Sequence, residues 1–123
     1  MNILVVDDEK DMKVLFEQRF RREIKDHKVD FAFANSGEEA LTYMKDHQHE
    51  AVLILSDINM PGMSGLELLK KIKNAYKTPP PVVMMVTAYG DDENYKNAMD
   101  LGADDFLTKP IDFTQLKEKL KIL

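Results

Sequence analysis

The stretch AVLILSDINMPGMSG, residues 51–65, carries the fold in miniature. It opens with five apolar residues in a row (51–55) and no alternation, the pattern of a parallel strand covered on both faces. Ser56 and Asp57 follow, so the strand delivers a hydroxyl and a carboxylate to its C-terminal end. Asn59, Pro61 and Gly62 then mark a turn. Ser64-Gly65-Leu66-Glu67 fits a capping box, in which serine and glutamate satisfy each other's orphan N–H groups, and a helix begins there. The unit is strand, acid, turn, helix.

Outward from it the unit recurs. Apolar, β-branched runs stand at residues 3–6, 29–34, 82–86 and 106–107. Helical periodicity fills the intervals: Met12, Leu15, Phe16, Phe20 and Ile24 share one stripe, and Phe113, Leu116, Leu120 and Leu123 another. Ser36-Gly37-Glu38-Glu39 is a second capping box, and Asp112 to Gln115 a looser version. Gly102, just after Leu101, reads as a helix stop. Thr78 and the three prolines after it form a loop into the fourth strand. The pattern is (βα)₅, which predicts an α/β fold: a doubly wound parallel sheet with helices on both faces and right-handed crossovers. The whole chain, 1–123, reads as a single domain without internal repeats.

Composition narrows the function. With 44% hydrophobic residues in 123, the chain can bury a core. A net charge of −5 and no dense basic run argue against gripping nucleic acid through its phosphates; Arg19 to Lys25 reads as a solvated helix face. There is no cysteine, which excludes disulfides and thiol chemistry. No apolar run approaches the ~20 residues needed to span a bilayer. Met1 leads straight into a strand-like run with no basic n-region or cleavage site, so a cytoplasmic location is expected. The eight methionines fall mostly at apolar positions and read as core filler.

In open α/β sheets, ligands bind beyond the carboxyl ends of the strands, at a switch point of the topology. There the first strand is followed by Asp7, Asp8 and Glu9, and the third by Ser56-Asp57. The fourth ends in Thr87-Ala88 and the last in Thr108-Lys109-Pro110. If strands one and three are neighbours, Asp7, Asp8 and Asp57 converge. Singly, each could be a helix cap, a turn residue or a surface charge. Together, three like charges in one crevice make sense if a cation binds among them. Carboxylates without cysteine or a nearby histidine favour Mg²⁺ over Zn²⁺. His27, His47 and His49 lie in polar segments away from the cluster, and His47-Gln48-His49 reads as solvated.

These residues closely resemble the receiver domains of two-component response regulators. The likeness runs through Val5-Val6-Asp7-Asp8-Glu9, residues 56–65, Val86-Thr87-Ala88, Gly102-Ala103-Asp104-Asp105-Phe106 and Thr108-Lys109-Pro110. It implies a flavodoxin-like sheet of strand order 2-1-3-4-5. It implies that Asp57 is the nucleophile toward a phosphohistidine of a sensor histidine kinase or phosphotransfer protein, or toward a small phosphodonor. Mg²⁺ would be held by Asp8, Asp57 and the Asn59 carbonyl, with Asp7 acting through a water. Lys109 would meet a phosphoryl oxygen or the Asp57 carboxylate, and Thr87 would donate to another oxygen. Phe106 matches the switch position, remodelling the fourth helix, fifth strand and fifth helix, residues 91–120, for an output domain or target protein. Lys109-Pro110 resembles a cis peptide, and Gly65 lets the next helix start close to the site. A phosphorylation-dependent dimer is left open. So is excision from a longer regulator, toward which the helix running to Leu123 leans.

Tyr89 departs from the familiar pattern, where a polar or acidic residue is common. With Asn59 it would flank the path of an attacking water, so slower hydrolysis of the aspartyl phosphate is expected. Two rival classes remain. A phosphohydrolase of the haloacid dehalogenase type shares the aspartate and Mg²⁺, but needs a second acid where this chain has Asn59. A phosphorylation-independent interaction module would keep the fold without the reaction. Flavin-type cofactor binding lacks a phosphate-cradling Gly-rich loop.

Overall fold

The computed structural model describes residues 1–47, 50, 52–77, 80–88 and 90–122, without the side chain of the last. Its elements run β1 (Asn2–Val6), α1 (Asp11–Arg19), α2 (Arg21–Lys25), β2 (Asp30–Ala34), α3 (Gly37–Asp46), β3 (Val52–Asp57), α4 (Gly65–Ala75), β4 (Val82–Ala88), α5 (Asp92–Asp100), β5 (Asp105–Lys109) and α6 (Phe113–Ile122). The five strands form one parallel sheet in the order β2-β1-β3-β4-β5. β1 and β3 are therefore neighbours, with Val6 opposite Ser56. No helix among the described residues is long and apolar enough to cross a membrane.

Strand parity builds the two cores. Leu4, Val6, Ile54, Val83 and Met85 point to one face, where α3, α4 and α5 bury Ala40, Met44, Leu68, Leu69, Ile72 and Ala98. Ile3, Val5, Leu53, Leu55, Met84 and Val86 point to the other, against Phe16 and Phe20 and, from α6, Leu116 and Leu120. Because both faces are covered, β3 is buried along its whole length. The buried Met44, Met60, Met84 and Met85 fill core space as expected, whereas Met1 and Met99 are exposed.

The strands reach further than their apolar runs. Asp57, Thr87 and Lys109 all lie within the ladder, opposite Val86, Thr108 and Ala88 respectively. Ladder hydrogen bonds use the backbone and are indifferent to side-chain polarity, so the apolar run underestimates the strand. The first helical stripe also differs from expectation. It is broken at Phe20 (φ −107°, ψ 19°) into α1 and α2, although Phe20 N–H still reaches Phe16 O and Ile24 N–H reaches Phe20 O. The bend accompanies burial of the Phe20 ring against Phe16, Phe31 and Phe113, at centroid distances of 5.9, 5.0 and 6.1 Å. Nor is the basic stretch around it only a solvated face: the Arg19 guanidinium lies 5.6 Å from the Phe113 ring centroid.

The serine half of each capping box forms, but among the described residues neither glutamate returns a bond to the N–H of its own cap. Ser36 and Ser64 accept from the N–H groups of Glu39 and Glu67 (3.1 and 3.2 Å), and Asp112 from that of Gln115 (3.1 Å). Glu39 returns its carboxylate to the N–H of Asn35, one residue before the cap, at 2.8 Å. α5 ends in a Schellman motif: Ala103 N–H bonds Ala98 O, and Gly102 N–H bonds Met99 O, both at 3.0 Å. Gly102 sits at φ +95°, and a Cβ there would meet nothing closer than Lys73 Cγ at 4.0 Å. Gly102→Ala should therefore cost only the backbone penalty of the left-handed region, about 1 kcal/mol, read as a lower denaturation midpoint with unchanged slope.

His47 is better placed than a solvated residue. Its ring stacks on Tyr43 at 3.9 Å and its Nδ1 lies 2.8 Å from the Tyr43 carbonyl oxygen, closing the end of α3. Gln48, His49, Thr78, Pro79, Tyr89 and Leu123, all invoked above, lie outside the described residues.

Candidate functional site

The carboxyl edge of β1, β3 and β5 brings together Asp7, Asp57 and Lys109. Asp7 follows β1 directly and continues its ladder, its N–H bonding Ala34 O at 3.1 Å. Both acids are buried, 5% and 6% exposed. Lys109, the last residue of β5, places Nζ 2.9 Å from Asp57 Oδ2 and 3.3 Å from Asp7 Oδ2, with Glu9 Oε1 further out at 3.9 Å. The second contact was not foreseen, since Lys109 was expected on Asp57 or a phosphoryl oxygen. Glu9, adjacent to the two aspartates in sequence, was the available signal that more acid surrounds the lysine.

Oxygens of Asp7, Asp8 and Asp57 lie within 4.8 Å of one another, with Asp8 exposed to solvent. One ammonium thus faces two buried carboxylates and a third beside them. The charges show the imbalance. Burial pushes the Asp7 carboxyl above the usual aspartate range and Asp57 adds to this, while the Glu9 N–H (2.9 Å from Asp7 Oδ1) and Lys109 pull it down. Burial works against the Lys109 charge, but the hydrogen bond that Lys109 donates to Asp57 and the charges of Asp57 and Asp7 outweigh it and raise its pKa. A net-negative cluster of hard oxygen donors fits Mg²⁺.

The loop after β3 is held close. Ile58 N–H bonds Val86 O at 3.2 Å, and Gly65 N–H bonds Ile58 O at 2.8 Å. Asn59 is exposed and the residue after it buried, so the chain touches down on the core immediately past Asn59. Gly62 takes φ +74°. Glu38 of α3, read from sequence only as part of a capping box, accepts the Met63 N–H at 3.3 Å.

Thr87 is 4% exposed, and its hydroxyl makes no hydrogen bond among the described residues. Phe106 stands opposite Met85, two residues from Thr87 along β4, so Phe106 and Thr87 share a face of the sheet. The Phe106 ring is half-buried on the core, 4.3 Å from that of Tyr95 on α5. The Lys109–Pro110 peptide is cis.

Comparison with known proteins agrees with this geometry. The family model of the response regulator receiver domain matches residues 3–121. The chain is 36% identical over 128 residues to response regulator RppA of Synechocystis sp., covering all of this chain and 50% of that protein. It is 32% identical over 123 residues to the two-component response regulator PhoP of Pseudomonas aeruginosa, covering 51% of that one. The chain thus spans about half the length of these curated relatives. Among solved structures it resembles the chemotaxis protein CheY4 of Vibrio cholerae, with a TM-score of 0.79 at 27% identity over 98% of this chain and 96% of the other. It also resembles a putative response regulator from Chloroflexus aurantiacus, with a TM-score of 0.83 at 28% identity over 98% and 94%. With the match running from the first strand to the last helix, the chain belongs to the response regulator receiver domain family.

Proposed function

We propose that residues 1–123 act as one phosphoacceptor domain, in which Asp57 takes a phosphoryl group from the phosphohistidine of a sensor kinase or phosphotransfer protein. The observation carrying this reading is Lys109 Nζ seated between two buried carboxylates at 2.9 and 3.3 Å, on the strand edge where a ligand would enter. An Asp57 oxygen forms the O–P bond as the P–N bond breaks, and the imidazole leaves with the electron pair. Lys109 holds Asp57 Oδ2 and orients the carboxylate. Asp7, Asp8, Asp57 and the Asn59 carbonyl would hold Mg²⁺, which when bound offsets charge between carboxylate and phosphoryl oxygens. Thr87 donates its hydroxyl to a phosphoryl oxygen, and Phe106, on the same face, follows it inward.

That movement changes the α5–β5–α6 surface, residues 91–120, which an output domain, a target protein or a second copy would read. The domain turns over only its own phosphoryl group, works in the cytoplasm, and binds no nucleic acid itself. With Asn59 in place of a second aspartate, a general phosphohydrolase lacks its acid.

The test is intact mass after incubation with Mg²⁺ and acetyl phosphate. A single phosphoryl adduct is expected, lost with a chelator and in Asp57→Asn. No adduct with that donor or with a phosphorylated histidine kinase, in protein that binds Mg²⁺, would leave an interaction module instead.

A further inference from the structure

The turn that carries Asn59 is fixed at both ends, and one of the two fixings comes from a distant helix. At its start, the Ile58 backbone is tied to β4. Past Asn59, Met60 is buried, Pro61 has its φ set by its ring, and Gly62 at φ +74° is the residue with most freedom to let the chain drift. The next backbone group, Met63 N–H, is held by Glu38 Oε1 at 3.3 Å, across 25 residues. The same helix turn grips the loop from a second direction. Gly37 is buried under the Met63 side chain so closely that a Cβ on Gly37 would lie 2.7 Å from Met63 Sδ and 3.0 Å from Met63 Cβ.

We propose that Glu38 is a positioning residue for the metal site: by holding the Met63 N–H it keeps the 59–63 loop in the shape that presents the Asn59 carbonyl. This rests on the reading that Mg²⁺ is bound by Asp8, Asp57 and Asn59. Glu38 itself does not touch the cluster. Its effect is preorganisation, removing loop freedom that Mg²⁺ binding otherwise has to remove. An acidic residue in the first turn of α3 also suits the helix dipole, and that ordinary role predicts no effect on the metal.

The experiment measures Mg²⁺ affinity by calorimetry and amide exchange at Met63 by NMR, on the full chain as wild type, Glu38→Ala and Glu38→Gln. Glutamine keeps the acceptor oxygen and drops the charge. Glu38→Ala should weaken Mg²⁺ about threefold, on the scale of one exposed hydrogen bond, and speed exchange at Met63, while Glu38→Gln stays near wild type in both. Equal weakening in both variants with Met63 still protected points to long-range charge and overturns the proposal, as does unchanged affinity in Glu38→Ala. A wild type that takes up no Mg²⁺ overturns the metal reading, and this inference with it; normal affinity in the wild type and in Glu38→Ala sinks the inference alone.

Discussion

Asp7→Asn should make the metal-free protein more stable than wild type at neutral pH, by about 1 kcal/mol, the low end of what replacing a buried ionic group by a neutral one gives, because it removes a buried charge that is only partly compensated. The wild-type carboxyl is pushed above the ordinary aspartate range first by burial and then by Asp57, against the pull of the Glu9 N–H and Lys109. A carboxyl whose pKa rises on folding binds its proton more tightly in the native state, so its ionisation subtracts stability. The deficit is absent below the ordinary aspartate value of 3.8, where both states are protonated, and is complete once pH exceeds the raised native value. The gain from asparagine should follow the same window, vanishing in acid and reaching its full size toward neutrality. Lys109 limits the cost of the substitution, since it keeps Asp57 at 2.9 Å and its side chain is 29% exposed, within reach of water.

Mg²⁺ should reverse the order. A ligand that binds only the native state stabilises it by an amount that grows with its concentration over its dissociation constant. Wild type should therefore gain midpoint on titration with Mg²⁺ and the variant much less. Urea denaturation with and without Mg²⁺ at several pH values measures all of this. A variant no more stable than wild type in chelator would mean that Lys109 and the Glu9 N–H fully compensate the Asp7 charge. Stability given up for a site of this kind is a common trade in functional clusters.

The strands and their acidic ends were legible because two local signals coincide in this sequence. Apolar runs such as 51–55 lack alternation, which marks burial on both faces, and a polar residue follows each at the edge where the chain turns. Adjacency was not legible locally. Asp7 and Asp57 meet because β1 lies beside β3, and five parallel strands can be ordered in several ways that satisfy the same pattern; the family resemblance supplied the order. The apolar runs stop at residues 55, 86 and 107, short of the strand ends at Asp57, Ala88 and Lys109, since the ladder does not depend on what the side chain is. The bend at Phe20 was hidden because Phe16, Phe20 and Ile24 keep helical spacing through it. Contacts between distant segments are the least legible: Glu9 hints at more acid around Lys109, but the Asp7–Lys109 pair itself and the Glu38–Met63 bond depend on where the turns fall in space.

Gly65→Ala should cost about 3 kcal/mol through overpacking, less about 1 kcal/mol recovered from the better helix propensity of alanine. A Cβ at Gly65 would overlap the Asp57 carbonyl oxygen and lie 2.7 Å from Ile58 Cα and 2.9 Å from the Asp57 carbonyl carbon. All three are backbone atoms of the strand end, so none can rotate aside as a side chain would. Gly65 N–H is also bonded to Ile58 O at 2.8 Å, so α4 cannot back away without losing that bond. The same substitution at Gly102 meets open space and should cost only the backbone term, which makes the pair a control for glycine effects in the unfolded chain. Because the collision is with the residue proposed to accept the phosphoryl group, the rate of adduct formation with acetyl phosphate should fall alongside stability, and by more than Gly102→Ala lowers it. Chemical denaturation and intact-mass kinetics on the two variants separate the effects. A Gly65→Ala protein within about 0.5 kcal/mol of wild type, the usual spread for an uncrowded site, would show that α4 can move off the strand end; undiminished phosphorylation would show that Asp57 keeps its position when it does.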